Sequence, residues 1–429
     1  MIQYTKPFLL LLLIQLTVFS VYAQSNKVTA WNQQRATRID SLLLRHIHEQ
    51  HIPGATALII RNGQVVYNKA FGYADVAARQ PMKTNNIFRI ASQSKAITSL
   101  AVMMLWEQGR FLLDDPVSMY LPAFANPRVL VTFNEKDSSY TTRPAKREIT
   151  IRDLLRHTSG IAYAAVFSDK TMQAIYTKAG IPSGIGTTNG MLKEKMALLA
   201  AQPLQHDPGA AFTYGLNTDL LGHLIEVWSG ERPDSFMHRH IFAPLEMNDT
   251  YFHLPAAKQQ RLVSLYENKG AVLVKVDHPI YEGADPLFPN LNGTYLSGGA
   301  GLSSTTADYA RFLSLYLHKG RYKDKQFVSA ATIDLMLANQ LSPDLPISPD
   351  PAQPTPFAFG LSGFALETPA NDHLLPLNIG SFGWGGAFNT HGWADPKEGL
   401  IGLLFTQEYL SPWWRIGDEF KVLTYQALQ

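Results

Sequence analysis

The chain has 429 residues, 46% hydrophobic and 17% charged, which supplies a large core and too little charge for a disordered polymer. Lys and Arg number 37 against 35 Asp and Glu, a formal charge of +2 that gives no field to grip a polyanion and disfavours nucleic acid as a ligand. The absence of cysteine removes thiol nucleophiles, disulfides, Cys-ligated zinc and iron–sulfur clusters. Covalent chemistry is left to Ser, Thr, Lys or a carboxylate.

Residues 1–23 read as a secretory signal. Lys6 is their only charge, the apolar run Phe8 to Phe19 is broken by Gln15 and Thr17, and Val21-Tyr22-Ala23 is a small-residue cleavage site before Gln24. The run falls short of the ~20 apolar residues of a spanning helix. Cleavage after Ala23 leaves a periplasmic or secreted protein with no stable membrane anchor.

Thr29 to His51 has helical periodicity, with Ile39, Leu42, Leu43 and Ile47 on one stripe. The strands Ala55 to Arg61 and Gln64 to Phe71 follow, joined by Asn62-Gly63, a strong signal for a two-residue hairpin turn. Helices are expected at Ser94 to Gln108, Ile151 to Arg156, Asn217 to Trp228 and Thr305 to Leu317. Ile161 to Met191 reads as a long loop and Ser342 to Pro356 as a surface loop. Strands return at Phe357 to Leu366, Ala387 to Trp393 and Leu400 to Thr406, before a closing helix from about Trp413. With strands at both ends and helices between, the expected fold is α/β of the α+β type, an antiparallel sheet flanked by helices. Its α/β domain comprises 24–100 and 290–429, with a mostly helical domain, 101–289, inserted.

Ser92 and Lys95 stand three apart on the first turn of a helix and so share a face. The hydroxyl needs a base, and an amine whose pKa is lowered by burial can take its proton; the helix N-terminus offers N–H groups to an oxyanion. Tyr214, on a turn entering a helix, offers a second proton carrier. The glycines of Phe382-Gly383-Trp384-Gly385-Gly386-Ala387 mark a close approach of ligand or backbone, where the Ala387 N–H could complete an oxyanion hole with that of Ser92. His46, His48 and His51 beside Glu49 form neither H-E-x-x-H nor one helical face, so a solvated helix end is expected, and His238 and His240 likewise make no metal site. No metal and no cofactor is called for. No G-x-S-x-G nucleophile elbow occurs.

Taken in order, Ser92-x-x-Lys95, Tyr214 and the glycine-rich C-terminal strand resemble the serine hydrolases of the penicillin-recognising, β-lactamase/transpeptidase-like fold. The nearest resemblance is to the class C β-lactamase-like group. Phe88-Arg89-Ile90-Ala91-Ser92, Leu154-Leu155-Arg156-His157-Thr158-Ser159-Gly160, Phe242-Ala243-Pro244-Leu245 with Met247, and Gly298 to Ser304 carry it further, over about 36–407. The resemblance implies an acyl-enzyme on Ser92, with Lys95 or Tyr214 as base. It departs from the β-lactamases where their K-T-G is replaced by Trp384-Gly385-Gly386, and where the asparagine of Y-x-N stands one position late, at Asn217. Those departures are similar to the family VIII carboxylesterases, and imply substrate contacts from Trp384, Gly385, Gly386 and Asn217. The expected substrate is a small-molecule ester or amide. A β-lactamase or D-Ala-D-Ala carboxypeptidase, an acyltransferase of the same fold and a non-catalytic binding protein are the alternatives.

Overall fold

The computed structural model describes residues 30–164, 169–281, 283–342, 345, 358–369 and 375–429. The expected signal segment and most of the 342–356 loop lie outside the described residues.

The opening amphipathic pattern forms helix α1, Gln33–His48. Its first turn is closed by Asn32, whose side chain accepts from the Arg35 N–H at 2.9 Å. Asn62 and Gly63 both adopt positive φ, 48° and 75°, as a type I′ turn requires. Strand β1 (Gly54–Arg61) therefore folds back antiparallel on β2 (Gln64–Asp75) with Arg61 opposite Gln64.

The main sheet is completed by β3 (Gln80–Pro81), β4 (Ala358–Phe359), β5 (Ala365–Leu366), β6 (Phe382–Gly386), β7 (Thr390–Asp395) and β8 (Leu400–Phe405). Its eight strands run in the order β4-β5-β6-β7-β8-β1-β2-β3, every pair antiparallel. β8 pairs with β1 from Thr56↔Phe405 to Arg61↔Leu400, so both ends of the chain meet in one sheet.

Alternation along the pleat loads both faces of this sheet. Ala55, Ala57, Ile59, Leu400 and Leu404 pack with α1 and with Ile416 and Phe420 of the closing helix, Ile416–Gln426. Leu58, Ile401, Leu403 and Phe405 face the larger core instead. That core holds the helices Ser94–Glu107 (α2), Asn217–Ser229 (α3) and Thr306–Leu317 (α4). Helix α2 is buried on nearly every side, which fits its scarcity of charge.

Three expectations are corrected. Phe357 to Leu366 is not one strand but two short ones, β4 and β5, because Gly360 to Gly363 turns the chain and Gly363 takes φ 75°. Ala387 lies in a hairpin turn rather than at the head of a strand: the glycine-rich motif itself is β6, and β7 starts at Thr390 after Asn389 at φ 62°. The presumed loop 161–191 contains a helix, Lys170–Lys178, whose Met172, Ile175 and Tyr176 are buried at helical spacing.

Candidate active site

Ser92 sits in a single 3₁₀ turn, Ala91–Gln93, that runs directly into α2. Ala91 is held at φ 40°, a left-handed conformation costing a non-glycine residue about 1–3 kcal/mol, so the turn is fixed by its surroundings. Lys95 follows one turn on, fully buried, with Nζ 3.4 Å from Ser92 Oγ. Nζ also donates to the Tyr163 hydroxyl at 2.9 Å and the Gly299 carbonyl at 2.8 Å. Burial pulls the ammonium down, but the phenol oxygens of Tyr163 and Tyr214 outweigh it and hold Lys95 above the ordinary lysine range. The expected lowering of its pKa is thus reversed: burial alone would produce it, and two tyrosines prevent it.

Tyr163 was not legible as a site residue. It is buried, and burial raises its phenol above the usual range. Tyr214 is half-buried, with its ring centroid 4.5 Å from Lys95 Nζ. The Trp384 indole N–H donates to the Tyr214 hydroxyl at 3.0 Å. His157, Tyr163 and Trp384 surround the Tyr214 ring at centroid distances of 4.9, 5.7 and 5.7 Å. Trp384 therefore presents its polar edge to Tyr214 and, through it, to the Lys95 cluster.

Each neighbouring glycine makes room for something particular. A Cβ at Gly386 would lie 2.2 Å from the Ile90 carbonyl oxygen, and one at Gly385 would lie 2.6 Å from the Trp414 ring. The approach to Ile90 brings β6 against the Ser92 turn, with Ala387 just past the last ladder pair, Gly386↔Thr390. Behind Lys95, the buried Asp219 carboxylate accepts from Ser297 Oγ at 2.7 Å, the Gly299 N–H at 2.9 Å and the Tyr295 hydroxyl at 3.1 Å. Asp219 thus fixes the segment whose Gly299 carbonyl receives Lys95.

The turn carrying Ala387 is anchored by Glu408. Its Oε2 accepts from Asn389 Nδ2 at 2.6 Å, Ser411 Oγ at 2.9 Å and Thr406 Oγ1 at 3.3 Å, while Oε1 is buried without a partner. Burial pushes this carboxyl up to about 7, against the pull of those three donors. An acid raised on folding adds stability that is complete below its unfolded pKa and is lost as pH climbs to the folded value, here about 3 kcal/mol between roughly pH 4.5 and 7. Glu408→Gln should therefore gain thermal midpoint relative to the parent as pH rises from 5 to 8. A difference independent of pH would assign that titration elsewhere.

Two further expectations change. Asn217 is fully buried; its Oδ1 accepts from Ser159 Oγ at 2.5 Å and its Nδ2 meets His157 Nδ1 at 3.0 Å. An amide spent inside the protein is a strut for the 157–163 segment, not a contact for substrate. The 46–51 histidines are a solvated end only in part: His48 and Glu49 are exposed, but His46 is buried against Glu419 at 3.2 Å, and His51 stacks on Trp413 with centroids 3.4 Å apart. No group of three or more metal-ligating side chains occurs among the described residues.

A serine within reach of a buried lysine, placed at a helix start and faced by a glycine-rich hairpin, defines the class as a serine hydrolase. Residues 39–418 match the family model described as Beta-lactamase. The chain is 30% identical to an uncharacterised protein of Mycobacterium tuberculosis, covering 83% of this chain and 86% of that one. It is 29% identical to Esterase EstB of Burkholderia gladioli, covering 86% and 90%. Among solved structures it resembles EstCE1, a hydrolase with promiscuous acyltransferase activity (TM-score 0.76, 26% identity, 92% and 99% covered). It also resembles simvastatin synthase (LovD) from Aspergillus terreus (TM-score 0.75, 25% identity, 91% and 98% covered). The chain belongs to the β-lactamase family, and these relatives support an esterase or acyltransferase on the serine β-lactamase fold.

Proposed function

We propose that this protein is an exported esterase that cleaves uncharged carboxylic esters through an acyl-enzyme on Ser92. The observation that carries the reading is the Trp384 indole N–H on Tyr214 at 3.0 Å. Where β-lactamases begin their third motif with Lys, this chain has a neutral donor, and that donor is engaged within the protein. A substrate carboxylate loses its charge-assisted partner there, while an uncharged ester loses nothing.

In the proposed reaction Ser92 Oγ attacks the carbonyl carbon. Its proton passes to Lys95 and Tyr214 acting together. Lys95 Nζ lies 3.4 Å from Ser92 Oγ, and the Tyr214 hydroxyl, held by the indole N–H, completes the pair. The Ser92 and Ala387 N–H groups hold the oxyanion. The alcohol departs with the proton, and water, activated by the same pair, releases the acid. Acyl transfer to an alcohol is the second reading, favoured by the likeness to EstCE1. It differs only in which nucleophile reaches the acyl-enzyme, and product analysis with an added alcohol separates the two.

The direct test is turnover of p-nitrophenyl butyrate together with intact mass after exposure to a fluorophosphonate. The expected result is one adduct at Ser92 and ester turnover, both absent in Ser92→Ala, with nitrocefin turned over far more slowly. Turnover that survives Ser92→Ala would overturn the mechanism, and nitrocefin rates matching the ester rates would overturn the substrate class. Trp384→Phe keeps a ring and removes the N–H, and should lower kcat about tenfold, the worth of one such hydrogen bond. Export is tested by N-terminal sequencing of the protein from periplasm or medium, which should begin at Gln24. No helix among the described residues is long and apolar enough to cross a membrane.

A further inference from the structure

Between Ser92 and Lys95 stands Gln93, a polar side chain with no exposure at all. Its amide lies against the β6–β7 hairpin. Nε2 donates to the Trp384 carbonyl at 3.4 Å, and Oε1 accepts from Thr390 Oγ1 at 2.8 Å. A Cβ at Gly392 would come within 2.8 Å of Nε2, so the hairpin is cut away to admit this side chain. On its other side the Gln93 carbonyl accepts from the Tyr309 hydroxyl of α4 at 3.2 Å. The amide thus holds both strands of the hairpin, Trp384 on β6 and Thr390 on β7. These are the two strands joined by the turn that contains Ala387.

We infer that Gln93 is a positioning residue that sets the span of the oxyanion hole. The inference rests on the acyl-enzyme reading above. The two N–H groups of that hole lie on separate elements, Ser92 on the turn before α2 and Ala387 on the hairpin. Their separation is set by what joins those elements. Ile90 pressing on Gly386 sets how closely they can approach. The Gln93 amide, bonded at Trp384 and Thr390, sets how far they can part. An apolar side chain of the same length would preserve packing and release that limit. Misplacing one donor by about 1 Å is enough to cost on the order of 10²-fold in rate.

The experiment compares Gln93→Met, Thr390→Val, Thr390→Ser and the double variant Gln93→Met/Thr390→Val on p-nitrophenyl butyrate. Gln93→Met should lower kcat about 10²-fold while KM stays within about threefold. Thr390→Val should lower kcat by less, Thr390→Ser should recover what Thr390→Val loses, and the double variant should be no worse than Gln93→Met, because all break one bridge. A trifluoromethyl ketone, whose hemiketal oxygen occupies the oxyanion position, should lose affinity by the same factor as kcat/KM. Affinity for the unreactive butyramide should hold. Retained kcat in Gln93→Met, multiplying losses in the double variant, or equal weakening of ketone and amide would overturn the inference. If Gln93→Met does not fold, the Thr390→Val and Thr390→Ser pair decides by the same ketone measurement. Failure of the parent enzyme to form any Ser92 adduct would instead remove the acyl-enzyme reading beneath it.

Discussion

Lys95→Met is expected to lower kcat/KM for p-nitrophenyl butyrate by about 10²–10⁴-fold, the range for losing a positioned proton-transfer group. Its thermal midpoint should fall, because the fold favours this cation over the unfolded chain. Both halves follow from where Nζ lies. It is fully buried, 3.4 Å from Ser92 Oγ and bonded to Tyr163 and Gly299, and no carboxylate stands within ion-pair distance among the described residues. A thioether of similar length fills the volume but cannot donate, so the Gly299 carbonyl and the Tyr163 hydroxyl lose a buried donor. Tyr163→Phe is the control: it keeps the ring and removes one acceptor from Nζ, so a loss of about tenfold is expected. A Lys95→Met enzyme with near-parental kcat/KM would leave Tyr214 to act without the cation and would overturn the paired role.

The serine and lysine were legible because a three-residue spacing across the continuous 3₁₀–α2 turn fixes their shared face whatever the remainder of the fold does. The hairpin at Asn62-Gly63 and the capped helix α4 were legible for the same reason: their determinants are local. Tyr163 was not. It lies in an irregular segment without period, and only the fold brings its hydroxyl to Lys95. The helix Lys170–Lys178 was hidden by the glycines and serines around it, although Met172, Ile175 and Tyr176 carry the spacing. Asn217 was misassigned because an amide near a motif reads as a ligand contact, whereas its partners Ser159 and His157 lie about 60 residues earlier. The indole N–H of Trp384 posed the converse problem. Sequence exposes the loss of a cation at that position, but the new donor's target, Tyr214, lies 170 residues away.

Arg89→Met should destabilise the protein by about 3–5 kcal/mol, read as a shift of the urea midpoint, because one side chain satisfies several buried acceptors. Arg89 has no exposure. Its guanidinium donates to the Val263 carbonyl at 2.8 Å, to Gln407 Oε1 at 3.1 Å and to the Pro286 carbonyl through both Nε at 3.0 Å and Nη2 at 2.5 Å. Burial draws this guanidinium down to about 9, opposed by Asp285, and it remains a cation at neutral pH. Carbonyl oxygens from two segments, rather than a carboxylate, hold that charge. Methionine fills the volume and leaves these acceptors bare. Arg89→Lys should fail almost as badly, since a single ammonium cannot reproduce a fork that spans Val263 and Pro286. Function should follow stability here: Phe288, two residues past Pro286, packs on Phe388 with centroids 6.3 Å apart, beside Ala387. Arg89→Met protein that unfolds at the parental urea concentration would show that these carbonyls find other donors, and that the buried fork is replaceable.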